Sequence, residues 1–140
     1  MTMFATFAQR NIASPLELPP PIPDLNEDLA SLQLRMFSYE QLASARDEDR
    51  YEEGARLLIG LKDYVFDVTS LKAFIGPQGP LNNYPWRDIS WALVKSSNLA
   101  SDTANQGYNK FSPENLKLLD DWTAVFLRRF VVIGRLSGTA

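Results

Sequence analysis

Two short apolar runs, Leu57-Leu58-Ile59-Gly60-Leu61 and Tyr64-Val65-Phe66-Asp67-Val68, stand with only Lys62 and Asp63 between them. β-Rich runs joined by so short a polar link read as a hairpin, and the rest of the chain must accommodate it. A Thr69-Ser70 step leads into a short apolar segment, Leu71 to Ile75. Gly76-Pro77-Gln78-Gly79-Pro80 follows, a loop with two rigid prolines and two glycines free to take φ > 0. That loop delivers Leu81-Asn82-Asn83-Tyr84-Pro85-Trp86 and then a helix-like run starting near Arg87. Hairpin, helical turn, stiff loop and second helix would line one side of a pocket.

Composition narrows the chemistry such a pocket can perform. The chain has 140 residues, one domain's worth, and is long enough for a real core. Its net charge of −3, from 14 basic and 17 acidic residues, gives no electrostatic case for nucleic acid or an anionic membrane. There is no cysteine, so disulfides, thiolate metal sites and cysteine nucleophiles are excluded. There is no histidine either, which excludes a Ser-His-Asp triad, a His-ligated zinc and a bis-histidine haem. No window reaches the roughly 20 apolar residues of a membrane-spanning helix, so no integral membrane segment is expected.

Residues 1–23 differ in composition from residues 24–140, which are expected to form the folded domain. Met1 to Ser14 carries one charge, Arg10, too few for a transit peptide. Pro15 to Pro23 holds five prolines and should run extended as polyproline II. The favoured reading is a linker or tail. The alternative is an arm that packs on this domain or on a protein partner, with Phe4, Phe7 and Leu16 as apolar contacts.

The spacing of Leu25, Leu29 and Leu32 predicts a helix over Asp24 to Leu34. Ser38 to Gln41 fits a capping box opening a helix from Tyr39 to about Ala45, followed by a charged, solvated connector from Arg46 to Glu53. Ile89 to Val94 continues the second helix, with Ile89, Leu93 and Trp86 on one face, and Asn98 to Gly107 reads as a loop. Ser112-Pro113-Glu114 starts a further helix running to about Arg128, with Leu116, Leu119, Trp122 and Phe126 facing the core. Phe130 to Leu136 closes as a strand. The expected class is α+β.

The ordered set Val65-Phe66-Asp67-Val68-Thr69, Gly76-Pro77-Gln78-Gly79-Pro80, Arg87-Asp88-Ile89-Ser90, Asp121-Trp122, Phe126 and Gly134 resembles the cytochrome b5-like haem/steroid-binding domain, in its membrane-associated progesterone receptor (MAPR) branch. Phe37-Ser38-Tyr39-Glu40-Gln41-Leu42 is similar to the family's opening, so the resemblance runs from about Phe37 to Leu136. It implies a small mixed β-sheet with paired helices around one apolar pocket. Many members carry an N-terminal anchor or secretion signal. This chain departs from that pattern, and the expected location is intracellular and soluble, cytoplasmic or organellar.

At the pocket the chain departs from the family again. The family loop reads roughly F-Y-G-P-x-G-P-Y, and its second tyrosine holds haem iron while the first supports it. Here Phe74, Ile75 and Leu81 occupy the corresponding positions, and a Lys-Tyr pair that assists the haem is matched by Arg129-Phe130. Isoleucine and leucine offer no lone pair to iron, so family-type ligation fails, and no cofactor or metal is expected. A substitute ligand would have to be Tyr84 or Tyr108. The resemblance implies a pocket formed by Phe74, Ile75, Leu81, Tyr84, Trp86, Arg129 and Phe130, suited to a neutral hydrophobic molecule. Arg129 could pair with a carboxylate or a carbonyl.

Three functions follow. The first is a module that binds a sterol-like or other apolar small molecule without haem. The second is an enzyme that cyclises or isomerises a hydrophobic substrate without a cofactor, using Tyr84, Asp88, Lys95 or Arg129. The favoured reading of Arg87 and Asp88 is that they hold the loop together. The third is a structural subunit of a larger assembly, with Trp86 or Phe130 plugging the cavity and the proline-rich arm gripping the partner.

Overall fold

The computed structural model describes residues 17–29, 33–49, 56–76, 78–95, 97, 103 and 111–136, with the side chains of 45–49 excepted. Phe4, Phe7, Leu16, Leu32, Tyr108 and most of the 98–107 loop lie outside the described residues. The elements are β1 (Arg35–Phe37), α1 (Tyr39–Asp49), β2 (Leu58–Leu61), β3 (Tyr64–Asp67), α2 (Lys72–Ile75), α3 (Ser90–Lys95), α4 (Pro113–Leu127) and β4 (Val131–Leu136). A 3-10 turn, Thr69–Leu71, leads into α2. The strands form one sheet in the order β1-β4-β3-β2, with β1 parallel to β4 and the other pairs antiparallel. This is the small mixed sheet of an α+β domain.

The hairpin is β2 and β3, closed at the Leu61↔Tyr64 pair. All four β2 residues are buried, which is why the run is continuously apolar rather than alternating. Lys62 sits at φ 56°, an uncommon conformation for a side-chain-bearing residue, and the turn around it is held from three directions. The Lys62 N–H donates to Ser90 Oγ at 2.8 Å, and the Asp63 carbonyl accepts from Leu136 N at 3.0 Å. Lys62 Nζ meets Asp120 Oδ1 at 2.6 Å.

The segment after the Gly-Pro loop is not helical from Arg87, as expected, but only from Ser90. Residues 86–89 instead lie along the outer side of β2. Trp86 N donates to the Leu58 carbonyl at 2.6 Å, Gly60 N to Arg87 O at 2.8 Å, and Ile89 N to Gly60 O at 2.8 Å. Gly60 and Asp88 form a parallel bridge. With their backbone groups committed to β2, these residues cannot wind into a helix. The Asp88 carboxylate then accepts from Ser90 N at 3.0 Å, and α3 begins there.

The helix expected over Asp24 to Leu34 is a run of turns over its described residues, with Asp24 at φ 61°. Tertiary bonds made by Asn26, described below, outweigh the leucine spacing. β1 was not legible beforehand. The capping box closes as expected, with Gln41 N donating to Ser38 Oγ at 3.0 Å and Ser38 N to Gln41 Oε1 at 2.8 Å. The helix it starts runs to Asp49, so the first part of the charged connector is helical.

In α4, Ser112 Oγ accepts from Asn115 N at 3.1 Å with Pro113 at the first helical position. Leu119, Trp122 and Phe126 are buried as expected, but Leu116 is 37% exposed rather than in the core. Phe126 is the hub of the interior, with ring centroids 5.7 Å from Phe66, 5.0 Å from Phe130 and 6.1 Å from Trp122. Ser112→Ala removes the α4 cap and is expected to cost about 1 kcal/mol, read as a lowered denaturation midpoint with an unchanged slope.

Gly76 and Gly79 are not glycines for the reason their loop suggested. Gly76 is extended, at φ −71° and ψ −176°. A Cβ on it would lie 2.5 Å from the Lys72 carbonyl oxygen, and one on Gly79 would lie 2.2 Å from that of Phe74. Close backbone approach demands glycine at both. The left-handed residue of this region is Trp86, at φ 62°.

Candidate functional site

One narrow cavity opens where α2, the loop after it and α4 meet beneath the hairpin. Ile59 comes from β2, Val68 and Leu71 from the turn that follows β3, Ile75 from α2, Ile89 from the strip along β2 just before α3, and Phe126 from α4. Tyr84, from the loop, completes the lining. Its room for the centre of a water-sized sphere is about 10 Å³, the space of a single water. Hydrocarbon forms nearly all of its wall. The Tyr84 hydroxyl adds no polar surface to it and donates instead to the Ser97 carbonyl at 2.8 Å, and the residue is 1% exposed.

Of the expected pocket residues, Ile75 and Tyr84 line this cavity. Leu81, Trp86 and Phe130 are buried in the same core without lining it, and Phe74 packs against that core half-buried. Leu81 N donates back to the Phe74 carbonyl at 2.8 Å, closing the loop on α2. Arg129 is directed elsewhere. Its Nε donates to the Pro19 carbonyl at 3.1 Å and its Nη1 to that of Val125 at 3.2 Å.

The four candidate catalytic residues are not brought together. Tyr84 alone reaches the cavity. Lys95 is exposed, its ammonium 5.4 Å from the Trp91 ring centre. Asp88 is 5% exposed, with Gly60 between its backbone and Leu42 of α1, away from the cavity lining. Burial pushes its carboxyl up to about 6, with Asp63 adding to the rise and bonds from Ser90 opposing it. Burial first, then the charges of Asp88 and Asp63, raise the Tyr39 phenol to about 12. Lys62 N–H, the Ser90 hydroxyl and Asp88 therefore form a chain tying the hairpin turn to the start of α3.

The lining residues that sequence reasoning missed, Ile59, Val68, Leu71, Ile89 and Phe126, all carried a signal as apolar members of the recognised runs. A second missed residue is Asn26. Its Nδ2 donates to the carbonyls of Leu127 at 2.8 Å and Phe130 at 2.7 Å, and its Oδ1 accepts from Val132 N at 3.1 Å. The signal for it was an absence. No glycine or asparagine directly follows α4, whose last turn runs into Arg128-Arg129-Phe130, so its last carbonyl, that of Leu127, takes a partner from elsewhere.

A larger polar cleft, about 280 Å³, lies between the hairpin turn and α4 and includes Lys62, Asp63, Asp120 and Arg135. Its charges are of both signs, and no expected site residue lines it. Among the described residues, no cluster of three His, Cys, Asp or Glu side chains could hold a metal ion, and no helix is long and apolar enough to cross a membrane.

No family model matches the chain. It is 34% identical over 106 residues to "Membrane-associated progesterone-binding protein 4" of Arabidopsis thaliana, covering 76% of this chain and 42% of that protein. To "Probable steroid-binding protein 3" of the same plant it is 30% identical over 99 residues, covering 71% of this chain and 95% of that one. The fold is similar to a solved Arabidopsis thaliana protein described as having a cytochrome b5 like fold, with TM-score 0.62 and 28% identity over 75% of this chain and 93% of that chain. The chain spans about half the length of the longer relatives it matches.

Proposed function

The chain belongs to the membrane-associated progesterone receptor family of cytochrome b5-like domains, and from that membership we propose that it binds a hydrophobic small molecule, sterol-like or otherwise apolar, without haem. The observation that carries this reading is the wall of the cavity between α2 and α4. It is hydrocarbon throughout except for one phenol, and that phenol is already bonded to a carbonyl. Such a surface favours a ligand with little polarity to desolvate. The relatives' names, progesterone-binding and steroid-binding, point to the same class of molecule. At about 10 Å³ the cavity has room for one water, so a sterol-sized ligand would have to push its lining side chains apart.

The residues do not fit haem. Ile75 and Leu81 are buried hydrocarbon, and the Tyr84 hydroxyl is turned to the Ser97 carbonyl. Arg129, matched to a residue that assists haem in the resemblance, is engaged by Pro19 and Val125. The cyclase or isomerase reading loses support because Lys95, Asp88 and Arg129 do not line the cavity that Tyr84 lines. A structural module is the second reading, favoured by the burial of Trp86 and Phe130, which fill the interior with the chain's own rings.

Titration with the fluorescent sterol dehydroergosterol, and separately with hemin, tests this. Saturable one-to-one sterol binding is expected, weakened at least about tenfold, or 1.4 kcal/mol, in Ile75→Phe, which fills the cavity. That variant should remain folded, at a cost of about 1–3 kcal/mol from overpacking. Hemin should leave no Soret shift at one equivalent. A Soret shift abolished by Tyr84→Phe would restore the haem reading. Failure of the sterol and of other apolar probes to bind would leave the structural module.

A further inference from the structure

At the end of helix α4 the Val125 and Phe126 carbonyls are met locally, while those of Leu127 and Arg128 are met by residues more than a hundred positions earlier. The last carbonyls of a helix have no partner within it and must find one outside. Asn26 meets the carbonyls of Leu127 and Phe130 with both amide hydrogens. Ile22 N donates to the Arg128 carbonyl at 2.8 Å. In return, the Arg129 guanidinium holds the Pro19 carbonyl at 3.1 Å. Asn26 also takes the N–H of Val132, so one amide fixes both the end of α4 and the start of β4. The described part of the proline-rich arm, 17–23, is thus attached at the one point where α4 turns into the sheet.

That point is one residue from the cavity wall. Phe126, which lines the cavity, precedes Leu127, whose carbonyl Asn26 holds, and packs tilted against Phe130, ring centroids 5.0 Å apart, whose carbonyl Asn26 also holds. The Phe126 carbonyl accepts from both Arg129 N at 3.0 Å and Phe130 N at 2.9 Å, which ties Phe126 to the turn that follows it. We propose that Asn26 is a positioning residue for the apolar cavity, fixing the Phe126 wall through the Leu127 and Phe130 carbonyls, so that attachment of the arm and occupancy of the cavity are coupled. The inference rests on the proposed apolar site and names what controls it. Anything that lifts the arm from α4 frees Phe126 and changes the shape a ligand meets. Coupling of this kind is reciprocal, so a ligand that displaces Phe126 weakens the arm's hold by the same factor.

The variant to make is Asn26→Asp in the full chain. It keeps the oxygen that accepts from Val132 but exchanges both donors for a carboxylate oxygen facing two carbonyls. Ser112→Ala, at the opposite end of the same helix, is the control for a merely structural loss. The primary readout is the ¹³C-methyl spectrum of Ile59, Ile75 and Ile89, which line the cavity and report on it with no ligand present. Asn26→Asp should shift all three methyls and change dehydroergosterol affinity by about tenfold, whereas Ser112→Ala should do neither. Should Asn26→Asp fail to fold, Ile22→Pro removes the donor to the Arg128 carbonyl, together with a side chain that is 49% exposed, and should shift the same methyls by less. Unmoved methyls in the folded variant would overturn the proposal. Shifted methyls in a protein that binds no sterol would uphold Asn26 as the positioning residue of the cavity wall and overturn its coupling to a bound ligand along with the ligand reading.

Discussion

Asp88→Asn is expected to make the domain more stable above about pH 6 by up to about 3 kcal/mol, while leaving it unchanged well below the ordinary carboxylate value of 3.8. Burial disfavours the ionised carboxylate, so the folded state holds this proton more tightly than the unfolded chain does. A raised carboxyl pKa means stability falls as pH rises from 3.8 to about 6 and stays lower beyond, the reverse of the usual salt-bridged aspartate. Asparagine keeps an oxygen to accept from Ser90 N, at 3.0 Å in the native chain, and removes the charge. The groups facing Asp88 are Ser90, which opposes the rise, Asp63, which adds to it, and the Tyr39 phenol. Urea unfolding of both proteins at two pH values, one on each side of this window, reads the effect. An equal difference between the two proteins at both values would show that Asp88 is not a buried ionising group.

Gly79→Ala is expected to cost at least about 3 kcal/mol, the largest such effect among the described glycines. The added carbon would stand 2.2 Å from the Phe74 carbonyl oxygen and 2.4 Å from its carbon, with the Ala73 oxygen at 2.9 Å. All three are backbone atoms, so no side chain can yield. The Phe74 carbonyl cannot swing aside without losing its bond from Leu81 N. The loop after α2 must therefore lift from the helix, taking Leu81 and Tyr84 with it. Denaturation with intrinsic fluorescence measures this, and a loss under about 0.5 kcal/mol, that of an ordinary surface change, would mean the loop is looser than its geometry.

The hairpin and both N-caps were legible because each is a local device. Leu57 to Val68 carries its pattern in consecutive residues, and Ser38 and Ser112 act on N–H groups three positions away. The Gly-Pro loop was legible as a loop but not in its reason, since close approach to Phe74 and Lys72 depends on α2 lying beneath it. The leucines at 25, 29 and 32 have helical spacing, yet Asn26 finds better partners at the end of α4, a hundred residues away. β1, only three residues long, owes its existence to pairing with β4 rather than to any pattern of its own. At the site, Ile75 and Tyr84, two residues the resemblance assigned to the pocket, line one apolar cavity. It also assigned Arg129 to the pocket, and only the path of the arm shows why that guanidinium turns to Pro19.

The strip from Trp86 to Ile89 has a further consequence, for the company the protein keeps with copies of itself. An open sheet ends in two rows of unpaired N–H and C=O groups, ready templates for another chain. Here the β2 border is already occupied, because Trp86, Arg87 and Ile89 take up the groups of Leu58 and Gly60. The β1 border is only three residues long and opens with Arg35, whose charge lies 4.2 Å from the Phe37 ring centre. A short, charged border at one side and a sealed one at the other make edge-to-edge stacking through the described sheet unfavourable.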